Sequence, residues 1–169
     1  MIAQMRLLKR FNVLNKLTFL KQDWKKGVVA FFITYFLFGL LNDNIQILRN
    51  TSQSLPYHVF LYFPKMKPER GDITVYKFND QYIIKKISGI AGDYITHGKN
   101  GFLFVFSDPI GKPMKEDSKG IQLDPIEEGT IPEGYVFLSG THKRSYDSRY
   151  KNVGLIQESD LRGKAIPLF

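Results

Sequence analysis

The chain of 169 residues is 43% hydrophobic and 24% charged, a balance typical of a folded protein with room for one domain and an appendage. It holds no cysteine and only three histidines, which excludes disulfides and thiolate metal sites and argues against a zinc centre. We therefore predict no cofactor and no metal. A formal net charge of +8 would suit nucleic-acid binding if it were spread over the chain.

The positive charge is instead concentrated at the N-terminus. Residues 1–26 hold seven basic residues against one acid, Asp23, and so account for six of the eight charges. Apolar residues recur among the basic ones at roughly helical spacing over residues 1–20. We predict that residues 1–23 form a basic amphipathic helix on the cytoplasmic membrane surface, with inner-membrane lipid as a partner and no nucleic acid. The alternative is a helix packed on the protein itself.

An uncharged apolar run follows at residues 27–41. Its fifteen residues are fewer than the roughly 20 that cross a bilayer as a helix. Trp24 suits the headgroup level, however, and the two lysines after it can extend towards the headgroups. We predict a transmembrane anchor over residues 24–48, with a buried core helix or the core of a signal peptide as alternatives. No small-x-small cleavage site follows the run, which favours an uncleaved anchor.

The position of the basic flank predicts the orientation of the chain. Positively charged flanks stay on the cytoplasmic side, and this flank precedes the apolar run. We therefore predict a single-pass membrane protein with a cytoplasmic N-terminus. Residues 49–169 would then form one domain on the outer side of the membrane.

Beyond residue 48 the pattern indicates a mainly antiparallel β fold. Short runs rich in β-branched and aromatic residues alternate with Gly, Pro, Asn and Asp, and no long helical period is present. The predicted strands are Val59–Phe63, Ile73–Phe78, Gln81–Ser88, Tyr94–His97, Phe102–Phe106 and Tyr135–Ser139. The predicted hairpin turns are Asn79-Asp80 and Lys99-Asn100-Gly101.

Two of these regions carry more specific predictions. The run Phe102–Phe106 lacks polar alternation, so we expect a strand buried on both faces or, alternatively, part of an apolar rim that touches lipid. Residues 107–133 hold four of the eight prolines and many charges, which predicts loops with at most one short hairpin.

A serine and a lysine are the candidate catalytic pair. Ser54 follows the predicted anchor closely, but a serine is a weak nucleophile unless a base takes its proton. Strand alternation places Lys85 between Ile83 and Ile87 on one face, where burial would lower the pKa of its amine. Lys86 projects to the opposite face, towards solvent. This pattern favours a Ser54–Lys85 dyad, a known variant of the acyl-transfer site.

Two alternatives to this dyad remain open at the level of sequence. Both lysines could be solvated charges that protect the edge of a sheet. A histidine base is also available in principle, since the chain contains His58, His97 and His142, and His142 lies near Asp147. His58 is only four residues from Ser54, and a strand after the intervening proline would carry it away from the hydroxyl.

Four segments, in order and behind an anchor, resemble the signal peptidase I family of serine proteases, peptidase family S26. They are Ser52–Pro56, Arg70–Tyr76, Lys85–Asp93 and Gly140–Arg149. The resemblance covers roughly residues 25–169 and is strongest to the conjugative-transfer branch, the pilin-maturing TraF peptidases. The sequence departs from the family pattern at Ala91, where proline is usual, at Thr141 and His142 in place of Asp-Asn, and at His58, where the branch has glycine.

The resemblance implies both a fold and roles for individual residues. It implies two twisted antiparallel sheets, a domain shared with LexA-like self-cleaving repressors. It implies that Ser54 is the nucleophile and Lys85 the general base. Ser52 would donate its hydroxyl to the oxyanion hole beside the backbone N–H of Ser54, and Ser145 would orient the lysine.

The same resemblance makes Asp147 and Arg149 a supporting ion pair. Since the two are separated by one residue, a strand would project them to one face. They would either form a surface pair of small value or clamp the loop that carries Ser145.

These expectations combine into one predicted function. The chain would be a serine endopeptidase anchored in the bacterial inner membrane, whose periplasmic domain (residues 49–169) cleaves leader peptides from exported precursors. A conjugative pilin or another mating-pair component would be the substrate. The alternatives are a pilin-cyclising transpeptidase using the same acyl-enzyme, a general signal peptidase I, and an inactive β-domain that scaffolds a membrane complex. A LexA-like regulator is disfavoured because the N-terminus is a predicted anchor rather than a DNA-binding module.

Overall fold

The computed structural model describes residues 24–39 and 44–169, and the chain divides into two compact units, Met1–Asp43 and Asn44–Phe169. In the first unit residues 24–39 are helical. Within the described ranges, no helix combines the length and the apolar character needed to span a membrane. The predicted amphipathic helix over residues 1–23 lies outside the described residues.

The second unit is mainly β, as predicted, with two antiparallel sheets. Its described residues form the strands β1 (Gln46–Arg49), β2 (Val59–Phe63), β3 (Ile73–Phe78), β4 (Gln81–Gly89), β5 (Tyr94–His97), β6 (Leu103–Val105), β7 (Asp108–Gly111), β8 (Gly129–Thr130), β9 (Tyr135–Ser139), β10 (Ile156–Gln157) and β11 (Leu161–Pro167). A seven-stranded sheet has the order β1-β2-β11-β3-β4-β9-β10, and a four-stranded sheet has the order β7-β6-β5-β8. One short 3-10 helix, Glu158–Asp160, precedes β11.

Strand β1 corrects the predicted end of the anchor. Its residues pair antiparallel with β2, so that Gln46 lies opposite Tyr62 and Leu48 opposite Phe60. Leu48 packs against the buried cluster that contains Phe60. The prediction of an anchor over residues 24–48 is therefore wrong for Gln46–Leu48, because these residues pair with β2 and help to cover the core of the β unit.

Both predicted hairpin turns are confirmed. Asn79 and Asp80 join β3 to β4 with φ of 47° and 61°, the pair of left-handed conformations that a two-residue type I′ turn requires. Between β5 and β6, Gly98 N–H donates to the Phe102 carbonyl at 2.7 Å, and Gly101 has φ of 78°. The expected short hairpin in the 107–133 region is present, since Glu116 bridges Gln122. The prediction of loops for the rest of this region is wrong at β7 and β8, which pair with β6 and β5.

The central strand β11 was not predicted from the sequence. It lies between β2 and β3, and its register shifts between Leu161 and Lys164. Gly163 stands within this irregularity with φ of 118°, and a side chain there would place a Cβ 2.4 Å from the Phe63 carbonyl oxygen. The glycine thus allows a close approach to β2 while breaking the alternation by which a strand is recognised.

The two sheets share a hydrophobic core. Ile95, Leu103, Val105 and Ile131, from the region of the smaller sheet, pack with Phe137 of β9. Leu103 and Val105 are fully buried while Phe106 is 69% exposed. The prediction that Phe102–Phe106 is buried on both faces is therefore wrong, because only alternate residues face the core.

Candidate active site

The loop between β1 and β2 carries Ser54. Leu55, 3% exposed, fixes this loop in the core cluster of β2. The Ser54 carbonyl accepts hydrogen bonds from His142 N–H at 3.2 Å and from the Thr141 hydroxyl at 3.5 Å. A Cβ at Gly140 would lie 2.6 Å from the same carbonyl oxygen, so only glycine fits there. Thr141 and His142 thus hold the loop that carries Ser54. Both residues are departures from the family pattern.

Lys85 lies at the centre of the site, on the buried face of β4. Its Nζ is 2.5 Å from Ser54 Oγ and 2.8 Å from Ser145 Oγ. The side chain is 2% exposed, and Ile87 on the same face is 1% exposed. Lys86 is exposed, as alternation predicts. The structure therefore brings Ser54, Lys85 and Ser145 together and leaves Lys86 out.

Burial lowers the pKa of Lys85 to about 8. The negative charge of Asp147 opposes this shift and the positive charge of Arg149 adds to it. No salt bridge to Lys85 is present among the described residues, because the Asp147 carboxylate is engaged by Arg149. At neutral to mildly basic pH a useful fraction of the amine is thus neutral and able to accept a proton from a serine hydroxyl.

Asp147 and Arg149 form a buried clamp rather than a surface pair. Arg149 Nε and a terminal guanidinium nitrogen each donate to Asp147 carboxylate oxygens at 2.8 Å, and the residues are 1% and 0% exposed. Arg149 also donates to the carbonyls of His142 and Ser145 at 3.1 Å. Asp147 accepts from Gly140 N–H at 2.8 Å. The pair therefore fixes the loop that places Ser145 against the lysine.

Ser52 makes a contact that was not predicted from the sequence. Its hydroxyl donates to Asn50 Oδ1 at 2.8 Å, and its N–H donates to the same oxygen at 3.0 Å. Asn50 is 8% exposed and donates from Nδ2 to the Tyr57 carbonyl at 3.0 Å, so it ties both ends of the Ser54 loop. The asparagine two residues before Ser52 is the signal of an Asx turn that could have revealed this role.

The histidine alternative finds no support among the described residues. His142 uses its backbone N–H towards Ser54, and its Nδ1 accepts from Arg144 N–H at 3.2 Å. His97 Nε2 lies 2.8 Å from the Ile126 carbonyl oxygen in the region of the smaller sheet. His58 donates its backbone N–H to the Phe169 carbonyl. In the described part of the chain, Lys85 is the basic side chain hydrogen-bonded to Ser54 Oγ.

Two surfaces next to the dyad are open. Strand β4 pairs with β9 from Lys86 to Gly89, and no strand of the described residues pairs with Gln81–Ile84 on that side. A cleft of about 500 Å³ lies beside Ser54 and Ser145. A larger cavity of about 760 Å³ includes Ala91 but neither member of the dyad. The smaller cleft is the candidate active site, because Lys85 hydrogen-bonds to Ser54 and Ser145 in its lining.

The antiparallel sheets and a buried lysine against a serine hydroxyl agree with the match to a known family of peptidases. The chain belongs to the signal peptidase, peptidase S26 family, whose family model matches residues 21–169. This confirms the resemblance seen in the four sequence segments.

Individual relatives cover parts of the chain. It is 24% identical to signal peptidase I of Pseudomonas aeruginosa, over 60% of this chain and 49% of that protein. It is 28% identical to signal peptidase I S of Bacillus subtilis, over 56% of this chain and 55% of that protein. It is 43% identical to the conjugal transfer protein TraF of Agrobacterium fabrum, over 31% of this chain and 29% of that protein. The matched regions thus span about half, or less, of these relatives.

A solved structure of a signal peptidase I from Enterococcus faecalis V583 aligns with 58% of this chain and 96% of its own, at 23% identity and a TM-score of 0.39.

Proposed function

We propose that the chain is a serine endopeptidase of the Ser-Lys type, in which Ser54 is the nucleophile and Lys85 the general base. The observation that carries this proposal is the 2.5 Å contact between Lys85 Nζ and Ser54 Oγ, made by a lysine that is 2% exposed. Desolvation disfavours the ammonium form, and the family match supports peptidase chemistry.

The reaction proceeds by two acyl transfers. Neutral Lys85 accepts the proton of Ser54 as Oγ attacks the scissile carbonyl, and the resulting ammonium gives that proton to the leaving amine. The C–N bond breaks and an ester on Ser54 remains. Water then attacks this ester with Lys85 again as base, the Oγ–acyl bond breaks, and Ser54 recovers its proton.

The surrounding residues assist in distinct ways. Ser145 orients the lysine through its 2.8 Å contact, and the Asp147–Arg149 pair holds the Ser145 loop. The backbone N–H of Ser54 and the hydroxyl of Ser52 donate to the oxyanion. Because the Ser52 hydroxyl donates to Asn50 in the free enzyme, it has to rotate away from Asn50 Oδ1 when the oxyanion forms.

The substrates in this proposal are exported precursors whose leader peptides are removed next to small residues. An extended peptide can add its backbone to the open edge of β4 at Gln81–Ile84, which places its carbonyl near Lys85. The likeness to a conjugal transfer protein TraF favours a conjugative pilin or another mating-pair component. We further propose a single-pass anchor in the bacterial inner membrane with the catalytic domain in the periplasm, on the strength of the basic N-terminal flank.

The test is co-expression of the full chain with candidate pilin precursors, followed by the masses of the products. Wild-type chain should release a processed product, and Ser54→Ala should leave the precursor intact. The matched control is Ser107→Ala, which changes an exposed serine in the region of the smaller sheet and should leave processing of the precursor unchanged. Equal processing by Ser54→Ala would exclude the proposed peptidase, and a folded wild-type chain that cleaves none of these precursors would favour a scaffolding role.

The same masses address the cyclising alternative. Hydrolysis of the acyl-enzyme leaves a linear product, whereas attack by the amine of the substrate itself gives a circle that is lighter by one water. A linear product supports the leader peptidase, and a circular one supports the transpeptidase.

A further inference from the structure

The cleft beside Ser54 has a wall whose residues take no part in the catalytic steps above. Its lining includes a hairpin of residues 115–123, with Met114 at its base and Leu123 at its end. Tyr146, next in the chain to Ser145, also lines it. Most of the other lining residues are polar or charged, so Met114, Leu123 and Tyr146 form an apolar part of the cleft next to Ser54.

Hydrogen bonds within the hairpin make this wall an ordered part of the fold. Within the hairpin, Asp117 N–H donates to the Ile121 carbonyl and Leu123 N–H to the Lys115 carbonyl, both at 2.9 Å. Asp117 Oδ1 accepts the N–H groups of Lys119 and Ile121.

Both ends of the hairpin are tied to the segment that follows Arg149. Met114 N–H donates to the Tyr150 hydroxyl at 3.1 Å, and Lys151 N–H donates to the Asp124 carbonyl at 2.9 Å. The hairpin is thus fixed to the same segment as the buried clamp, so its distance from Ser54 is set by the fold.

The apolar side chains of the cleft, which stand among polar ones, suit a flat apolar group. Tyr146 is 42% exposed and stacks on the buried Tyr150, with ring centroids 5.6 Å apart and an angle of 19° between the rings. Met114 and Leu123 also line the cleft. An aromatic ring bound here could contact the Tyr146 ring and the adaptable thioether of Met114.

The route of the proton from Lys85 to the leaving nitrogen indicates whether this cleft binds the acyl half or the leaving half of the substrate. Lys85 has to reach the leaving nitrogen, and its two hydroxyl partners, Ser54 and Ser145, both line the cleft. The open β4 edge, Gln81–Ile84, is not part of its lining and remains free for the acyl half. We propose that the cleft is a leaving-group subsite that takes an aromatic or large apolar side chain from the residue just after the scissile bond. This inference rests on the proposed Ser-Lys peptidase function.

An acyl-transfer experiment addresses the subsite directly. The full chain in detergent is acylated with N-acetyl-alanine p-nitrophenyl ester, and amino-acid amides are added as acceptors. An amine in the cleft attacks the ester carbonyl of acylated Ser54, so that a C–N bond forms, the Oγ–acyl bond breaks, and the amine proton passes through Lys85 to Ser54 Oγ. The ratio of amide product to hydrolysed acid measures occupancy of the subsite and does not depend on how fast each variant is acylated.

Wild-type enzyme should favour phenylalaninamide over glycinamide as acceptor by roughly ten-fold or more, the discrimination typical of an apolar pocket. Met114→Ala and Leu123→Ala should each lose most of this preference. Ile121→Ala, on the same hairpin but outside the cleft and 58% exposed, should keep both the preference and the basal hydrolysis. Thermal unfolding of each variant separates loss of the subsite from loss of the fold.

Three results would overturn the inference, and they differ from failure of the proposed function. Equal use of both amides by the wild-type enzyme, or an unchanged preference in the folded Met114 and Leu123 variants, removes the subsite while the Ser-Lys mechanism stands. If Ile121→Ala loses the preference for phenylalaninamide as much as the Met114 and Leu123 variants do, the preference does not come from the side chains that line the cleft. If ester hydrolysis is the same in Ser54→Ala as in wild type, the peptidase mechanism fails, and the subsite fails with it.

Discussion

The pH dependence of catalysis should follow the protonation of Lys85, and its shape can be worked out from the structure. The pKa of this amine is lowered to about 8, so only about 1% of it is neutral at pH 6, about one-tenth at pH 7 and about nine-tenths at pH 9. If Lys85 is the general base, as we propose, the neutral amine is the active form, and kcat/KM should rise about ten-fold per pH unit below pH 7 and level off above pH 8. An unshifted lysine would keep rising beyond pH 9.

The assay is kcat/KM for N-acetyl-alanine p-nitrophenyl ester between pH 6 and 9.5, with the rate of Ser54→Ala subtracted as background. Lys85→Arg should be inactive, because a guanidinium does not lose its proton in proteins. Lys86→Ala is the matched control: its side chain is exposed on the opposite face of β4, so its profile should match that of the wild type. An active Lys85→Arg enzyme or a flat profile would refute the assignment. So would a rate that still rises steeply up to pH 9.5, as expected for a lysine with the free pKa of about 10.4.

The same shift has a consequence for stability. Between about pH 8 and 10.5 the folded state holds fewer protons on Lys85 than the unfolded state does. The unfolding free energy should therefore rise with pH across this window, relative to Lys85→Met, by about 3 kcal/mol in total. Urea unfolding of both proteins at several pH values measures this difference. A difference that stays constant with pH would mean that the lysine is not desolvated.

Four further substitutions and one control test the supporting residues. Ser145→Ala should lower turnover by roughly ten- to a thousand-fold at unchanged melting temperature, since it loses only an orienting hydrogen bond; unchanged turnover would remove it from the site. Ser52→Ala should lose on the order of a hundred-fold in kcat. Combining it with Asn50→Ala should cost less than the two losses together, and full additivity would contradict their coupling. Arg149→Ala should destabilise the domain by about 3–5 kcal/mol in urea, because Asp147 is left buried and unpaired, whereas exposed Arg144→Ala should change little.

Features that depend on neighbouring residues could be predicted from the sequence. The period of two in a strand was enough to separate buried Lys85 from exposed Lys86. Turn chemistry was enough for the hairpin at Asn79-Asp80. The spacing of Asp147 and Arg149 indicated a pair but left two interpretations open, and their burial favours the clamp over the surface ion pair.

Features that depend on distant contacts could not be predicted in this way. Strand β11 is interrupted by Gly163 and is recognisable only from its two partners, β2 and β3. In the sequence, the residues of β1 look like a continuation of the apolar run. Only their pairing with β2 identifies them as a strand. The cleft wall likewise depends on hydrogen bonds with Tyr150 and Lys151, which hold the hairpin of residues 115–123 next to Ser54.

The residue that carries the acyl group tests the central claim most directly. The full chain, incubated with N-acetyl-alanine p-nitrophenyl ester, is quenched in acid during turnover, digested and mapped by mass spectrometry. We predict one N-acetyl-alanyl adduct, on Ser54, that is absent from Ser54→Ala and from Lys85→Arg and present in Lys86→Ala. An adduct on another residue, or one that persists in Ser54→Ala, would contradict the assignment of Ser54 as the nucleophile.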